Sequence, residues 1–95
     1  NAVLVHETKN IPTGFIACNI NKDTGLIDLI AVAKEARGQG IGQKLVSNSL
    51  AWFKDKVNKV EVFTEAMNYP SIRMYQNNGF KIDWIGVNLN YWFRK

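Results

Sequence analysis

A chain of 95 residues with a net charge of +4 is long enough for one small domain. Its 46% hydrophobic content can supply a core, and its 21% of charged residues, neither sparse nor blocky, exclude a disordered chain. No apolar run approaches the ~20 residues that span a bilayer, no secretory leader is visible, and the single cysteine, Cys18, excludes an internal disulfide.

A reducing cytoplasm is therefore the simplest compartment, and there is no Cys/His cluster to hold zinc, so no metal is expected. Basic residues, from Lys9 through Lys22, Arg37, Lys59 and Arg73 to Lys95, are scattered among acidic ones. That argues against a nucleic-acid face or a membrane partner and suits an anionic small ligand. The chain opens on Asn1 rather than Met, as expected of a processed chain or part of a longer one.

In chain order, "AVLVHE" (Ala2–Glu7) reads as a strand and "TKNIPTG" as a turn. "GFIACNI" (Gly14–Ile20) is a second strand, and "NKDTG" (Asn21–Gly25) is a hairpin turn. "LIDLIAV" (Leu26–Val32) is apolar almost throughout, as expected for a strand buried on both faces. From Ile41, the residues Leu45, Val46, Leu50, Phe53 and Val57 form one stripe of a helix. "KVEVFT" (Lys59–Thr64) alternates as a strand. "NYPSIRMYQNNGF" reads as a short helix, with Asn68 as cap, Pro70 in the first turn and Gly79 as the left-handed residue that ends it. Two further strand-like runs lie between Phe80 and Arg94, with a break near Gly86–Asn88. The order predicts a mixed α/β (α+β) sheet, with a parallel crossover through the first helix.

Between the third strand and that helix lies "RGQGIG", Arg37 to Gly42. Glycine is a poor helix former, so three at a helix mouth need a reason. Such a turn lets successive backbone N–H groups converge on an anion, beside the unpaired donors and positive dipole end of the helix. Side chains there would block a phosphate, whereas a plain flexible turn would not need three glycines flanked by Arg37 and Lys44. The spacing fits neither the G-x-G-x-x-G dinucleotide fingerprint nor the P-loop, since Gln43 follows Gly42.

"RGQGIG" resembles the R/Q-x-x-G-x-G/A pyrophosphate loop of the GNAT superfamily of acetyl-coenzyme A-dependent N-acetyltransferases. "IAV" (Ile30–Val32) resembles the end of that family's central strand. "NYPSIRMYQNNGF" is similar to its N-x-x-A-x-x-L-Y-x-x-x-G-F segment, with Ser71 in place of Ala and Met74 in place of Leu. The tail "NLNYWFRK" is similar to the aromatic last strand of sugar-nucleotide amine acetyltransferases such as the dTDP-fucosamine type. The resemblance implies a GNAT-like, mostly antiparallel mixed sheet with two helices, lacking the family's usual N-terminal strand and helices. Residues 1–95 are then a single partial domain, the C-terminal portion of a longer chain, completed by an upstream segment or by self-association into a homo-oligomer.

The implied reaction moves the acetyl group of acetyl-coenzyme A, a cosubstrate, to a primary amine of a small molecule such as an amino sugar, or of a protein N-terminus. The alternative is a non-catalytic coenzyme-binding module. Amides and side chains of Arg37, Gly38, Gln39, Gly40, Ile41, Gly42 and Gln43 would hold the diphosphate. The main chain of Ile30, Ala31 and Val32 would pair with the pantetheine arm and polarise the thioester carbonyl. Tyr75 matches the tyrosine that protonates the departing sulfur; from the residues alone it is a core aromatic. Asn68 matches an asparagine that touches the pantetheine arm, or is simply the helix cap. Asp28, in a buried-looking strand, is a candidate general base with a pKa raised by desolvation, or a structural carboxylate. Glu61 and Glu65 are runners-up. His6 reads as solvated or structural, and Cys18 as a small buried apolar residue.

Overall fold

The parallel crossover predicted between the third and fourth strands is present in the computed structural model, which describes residues 1–63, 69–83 and 88–93. The strands are β1 (Ala2–Thr8), β2 (Ile11–Asn21), β3 (Thr24–Val32), β4 (Lys59–Phe63), β5 (Lys81–Asp83) and β6 (Asn88–Trp92). The helices are α1 (Ile41–Phe53) and α2 (Tyr69–Asn77), with a short 3-10 turn at Lys34–Ala36. The sheet order is β1-β2-β3-β4-β6-β5, and only β3–β4 pairs parallel among neighbours. The mixed, mostly antiparallel architecture with two helices is thus as expected.

Three local readings change. "TKNIPTG" is not all turn: only Lys9 and Asn10 turn the chain, at φ 52° and 67°, and Ile11–Gly14 already belong to β2. Thr13 is the extra residue of a bulge opposite His6 and Glu7, so Pro12 sits where the ladder is already irregular. Gly25 is likewise not a turn residue. Lys22 and Asp23 make the turn, and Gly25 lies in β3, where the Phe53 ring occupies the space a side chain would need. Finally, α1 ends at Phe53, and Val57 is buried from the turn beyond it, where its N–H reaches the Phe53 carbonyl.

The larger correction concerns β3. Leu29 is 55% exposed and Asp28 and Ala31 are exposed, so the strand is not buried on both faces. Its register explains why. Ala17 pairs with Leu29 but Cys18 pairs with Ile27, which leaves Asp28 as an extra residue. The bulge shifts the pleat by one. Ile27 faces the core before it, and Ile30, opposite buried Ile16, faces the core after it. Leu29, opposite Ala17, is turned to the other face.

The core lies on one side of the sheet. Ile16, Cys18, Ile27, Val60, Val62 and Leu89 meet Ile41, Leu45, Val46 and Phe53 of α1, and Tyr75 of α2 joins the same cluster. Rings stack in sequence from Tyr75 to Phe80, Tyr91 and Phe93 at centroid spacings of 5.3, 5.6 and 5.0 Å. Gly79, at φ 94°, ends the α2 segment as predicted. No described helix is long and apolar enough to cross a membrane.

A Cβ at Gly25 would lie 2.5 Å from the ring of Phe53, which is fully buried. Gly25→Ala should therefore destabilise by about 1–3 kcal/mol, as overpacked cores do. Urea denaturation measures it, and a double-mutant cycle with Phe53→Leu should show coupling that relieves part of the loss.

Candidate functional site

The site is built where the pairing of β3 with β4 ends. Their parallel register runs from Thr24–Lys59 to Ile27–Val62 and stops. Beyond it, among the described residues, the edge of β3 from Asp28 to Val32 has no strand partner on the β4 side. Backbone groups on such an edge seek other partners, and an extended ligand can supply them. The bulge at Asp28 falls just beyond the last β3–β4 pair.

At the end of β3 the chain turns into α1. Arg37 donates from Nε to the Val32 carbonyl at 3.4 Å, and the Ala33 N–H donates to the Thr13 carbonyl at 2.7 Å, which ties the turn to the sheet. Gly38 and Gly40 have φ of 82° and 75°, a left-handed backbone that side chains rarely adopt. Gly40 is the N-cap of α1, and no side chain caps the helix. The first N–H groups of α1 are thus left for an anion, at the positive end of the helix dipole. A Cβ at Gly38 or Gly40 would meet no atom within 4 Å, so the space around both is open. Gly42 differs: its Cβ would lie 2.8 Å from the Met74 Sδ. Its small size lets α1 and α2 approach, which corrects the reading of all three glycines as clearance for a phosphate.

Two cavities share this cleft. One of about 550 Å³ is lined by Ile30, Ala31 and Val32 of β3, by Arg37, Gly38 and Gly40 of the turn, by Ile41 and Gly42 of α1, and by Ser71 and Met74 of α2. The other, of about 190 Å³, is lined by Asp28, Leu29, Ile30, Val62, Phe63, Ser71 and Tyr75, with Ile27 at its base. Ile30 and Ser71 belong to both. The structure therefore brings together Asp28, Ile30, Ala31, Val32, Arg37, Gly38, Gly40, Ile41, Gly42 and Tyr75. Gln39 and Gln43 are in the turn and first helical turn but do not line either cavity. Asn68 and Glu65 lie outside the described residues. Glu61 is not in the cleft, and pairs with Lys59 at 2.8 Å. His6 is structural, with Nδ1 3.1 Å from the Thr13 hydroxyl.

Ser71 and Met74 were missed as lining residues. The signal lay in helical spacing, because Ser71 and Tyr75 are four residues apart and share a helix face.

Tyr75 is 2% exposed. Burial pushes its phenol up to about 12, and neighbouring Cys18 adds to the shift. No described residue hydrogen-bonds its hydroxyl. Burial also pushes the Cys18 thiol up to about 11, with Asp28 adding to it. Asp28 itself is exposed, which corrects the expectation of a carboxyl in a buried strand. The bulge turns it to the cleft wall rather than into the core. Tyr75 and Asp28 line the same small cavity, which adjoins the larger one at the glycine turn, so a ligand anchored at the turn can reach a phenol able to donate a proton.

Residues 1–80 match the model of the Acetyltransferase (GNAT) family, and the chain belongs to that family. An uncharacterized N-acetyltransferase of Archaeoglobus fulgidus is 32% identical over 89 residues, covering 85% of this chain and 60% of that protein. An N-alpha-acetyltransferase of Sulfolobus acidocaldarius is 41% identical over 59 residues, covering 60% of this chain and 35% of its own length. The chain thus spans between about a third and three fifths of these relatives. A GNAT family acetyltransferase from Elizabethkingia anophelis, solved with acetyl-CoA bound, has the same fold, with a TM-score of 0.86 at 21% identity over 96% of this chain and 75% of that one.

Cys18 and Tyr75 make stability pH-dependent. Both pKa values are raised on folding, from 9.0 to about 11 and from 10.0 to about 12. The unfolded chain therefore loses protons first. Stability is intact below about pH 9 and falls as pH rises, first through the thiol window and then through the phenol window. Urea midpoints between pH 7 and 11 should show this fall, and Cys18→Ala should delay its onset by about one pH unit. An onset unchanged in the mutant would mean that Cys18 is not the first group lost.

Proposed function

We propose that this protein transfers the acetyl group of acetyl-coenzyme A to a primary amine, in the cleft between the β3 edge, the glycine turn and α2. The observation that carries the reading is the continuity of that cleft, from an uncapped helix N-terminus behind two left-handed glycines to a buried, protonated tyrosine. An anionic diphosphate fits the first end and a thioester the second. The name of the Sulfolobus relative supports a peptide or protein N-terminus among the acceptors; an amino sugar is the other amine class considered.

Acetyl-coenzyme A supplies an activated acyl group on a thiol leaving group. The amides of the turn and of Ile41 to Gln43 bind its diphosphate. The free edge of β3 from Asp28 to Val32 orients the arm and places N–H dipoles where negative charge develops on the carbonyl oxygen. Tyr75 protonates the leaving sulfur. A phenol carries its proton at neutral pH, and burial of Tyr75 holds that proton against loss to solvent. Asp28, the one described carboxylate lining the inner cavity, takes the acceptor's proton directly or through one water.

Gly40→Val places a branched side chain at φ 75° and in the open space of the cradle. Coenzyme A affinity, read by calorimetry, should fall by about 100-fold, the equivalent of one or two charge-assisted hydrogen bonds. Circular dichroism should still report the fold. Unchanged affinity would remove the turn from the binding site.

Tyr75→Phe deletes only the hydroxyl and keeps the ring stacked on Phe80. With the best amine acceptor, kcat should drop by about 10²-fold or more, while the KM for acetyl-coenzyme A stays within a few fold. A wild-type kcat would make Tyr75 a core aromatic. Coenzyme A binding without turnover of any amine would leave the protein a binding module.

A further inference from the structure

The end of α1 away from the glycine turn borders a third cavity, of about 740 Å³, which shares no residue with the two of the cleft. From Gly42 to Ala51 the helix runs about 14 Å, so this groove is a separate place on the molecule. Leu50 and Ala51 give it an apolar wall. Tyr91 and Phe93 form its floor, half-buried and packed edge to face at 5.0 Å. Gly79 stands against the Tyr91 ring, where a Cβ would come within 3.0 Å, and has no side chain to cover that ring. A further flat ring can pack there in the same manner.

Three donors border the same space. Lys54, directly after α1, and Lys81, the first residue of β5, are both exposed and come from distant parts of the sequence. Lys59–Glu61 is the one ion pair among the described residues, so no described carboxylate neutralises either lysine. The third donor is main chain. β5 begins at Lys81, opposite Asn90, so from Tyr91 onward β6 has no described strand beside it on that side. The Phe93 N–H donates to the Asn58 carbonyl on the β4 side at 3.1 Å. Alternation along an antiparallel strand then turns the Trp92 N–H the other way, toward the groove. An unpaired N–H and two ammonium groups favour an anion. The negative dipole end of α1 opposes one, but the Lys56 ammonium and the Lys56 and Val57 N–H groups already bond the Trp52 and Phe53 carbonyls there.

We propose that this groove is a second binding site, taking a small anion carried on a flat apolar ring. The ring lies on Tyr91 and Phe93 against the Leu50–Ala51 wall, and the anion meets Lys54, Lys81 and the Trp92 N–H. The cavity is of the size that encloses a small molecule. A peptide strand fits less well, because the free stretch of β6 presents only the Trp92 rung of a ladder.

The test follows backbone amide resonances by two-dimensional NMR during titration with 2-naphthoate, a carboxylate on a flat ring, and with adenosine monophosphate, a phosphate on a flat base. The proposal expects saturating shifts at Ala51, Lys54, Gly79 and Trp92, and the tighter probe names the anion. The uncharged counterpart of that probe, 2-naphthamide or adenosine, should bind at least about 10-fold more weakly, as should bare acetate or inorganic phosphate. Lys54→Gln combined with Lys81→Gln should weaken the charged probe by about the same factor and leave the uncharged one unchanged. Exposed substitutions of this kind keep the fold, which the dispersion of the same spectra checks. No saturating shift at those amides with either probe would overturn the proposal. Equal binding of charged and uncharged probes would overturn it too, reducing the groove to an apolar patch. So would shifts confined to Gly38–Gln43, which would return the ligand to the cleft, or an unchanged affinity in the double-lysine variant.

Discussion

Everything functional here depends on where β3 and β4 stop pairing. Up to Ile27–Val62 they form an ordinary parallel ladder under α1. Past that point the backbone of β3 faces a cleft instead of a strand. An unpaired edge in a sheet interior is unfavourable unless water or a ligand satisfies it. Along that edge α2 lays Ser71, Met74 and Tyr75 against the two cavities. The bulge at Asp28 resets the pleat at that point, so Ile27 and Ile30 both reach the core while Asp28 stays at the cleft wall. One irregularity in one strand thus positions Asp28 at one cavity, and the glycine turn that follows opens onto the other.

The sheet is one-sided. α1 and α2 share a single core with one face, where Phe53, Ile16, Leu45, Leu89, Val46 and Val60 are fully buried. The other face carries Val3, Val5, Leu29, Phe63 and Trp92, each more than half exposed. Lys59 softens part of it, with its ammonium 4.9 Å from the Trp92 ring centroid and in an ion pair with Glu61. Such exposed pairs are worth little individually, so stability has to come mainly from the buried face.

Chemical polarity within the cleft follows from burial. Tyr75 and Cys18 sit in the core and hold their protons far above neutrality, whereas Asp28, one bulge away, reaches solvent. Burial pushes the two core groups, already protonated near neutrality, further up, while the Asp28 side chain stays within reach of water.

Much of this was legible in the chain. The alternating runs and the stripe from Ile41 to Phe53 read correctly as strands and helix, because period and burial agree there. Arg37–Gly42 announced a special turn, and the left-handed backbone at Gly38 and Gly40 is its structural counterpart. The segment around Tyr75 placed a phenol on the next helix. What the sequence by itself determined is therefore the order of elements and the glycine turn, both properties of neighbours along the chain. It did not show that β3 is half exposed, since an apolar run looks the same whether one bulge has shifted its pleat or not. Nor could it show that Gly25 yields space to Phe53 and Gly42 to Met74, or that Ser71 stands opposite Ile30. Those are contacts between residues distant in sequence, and only the packing of α1 and α2 against the sheet decides them.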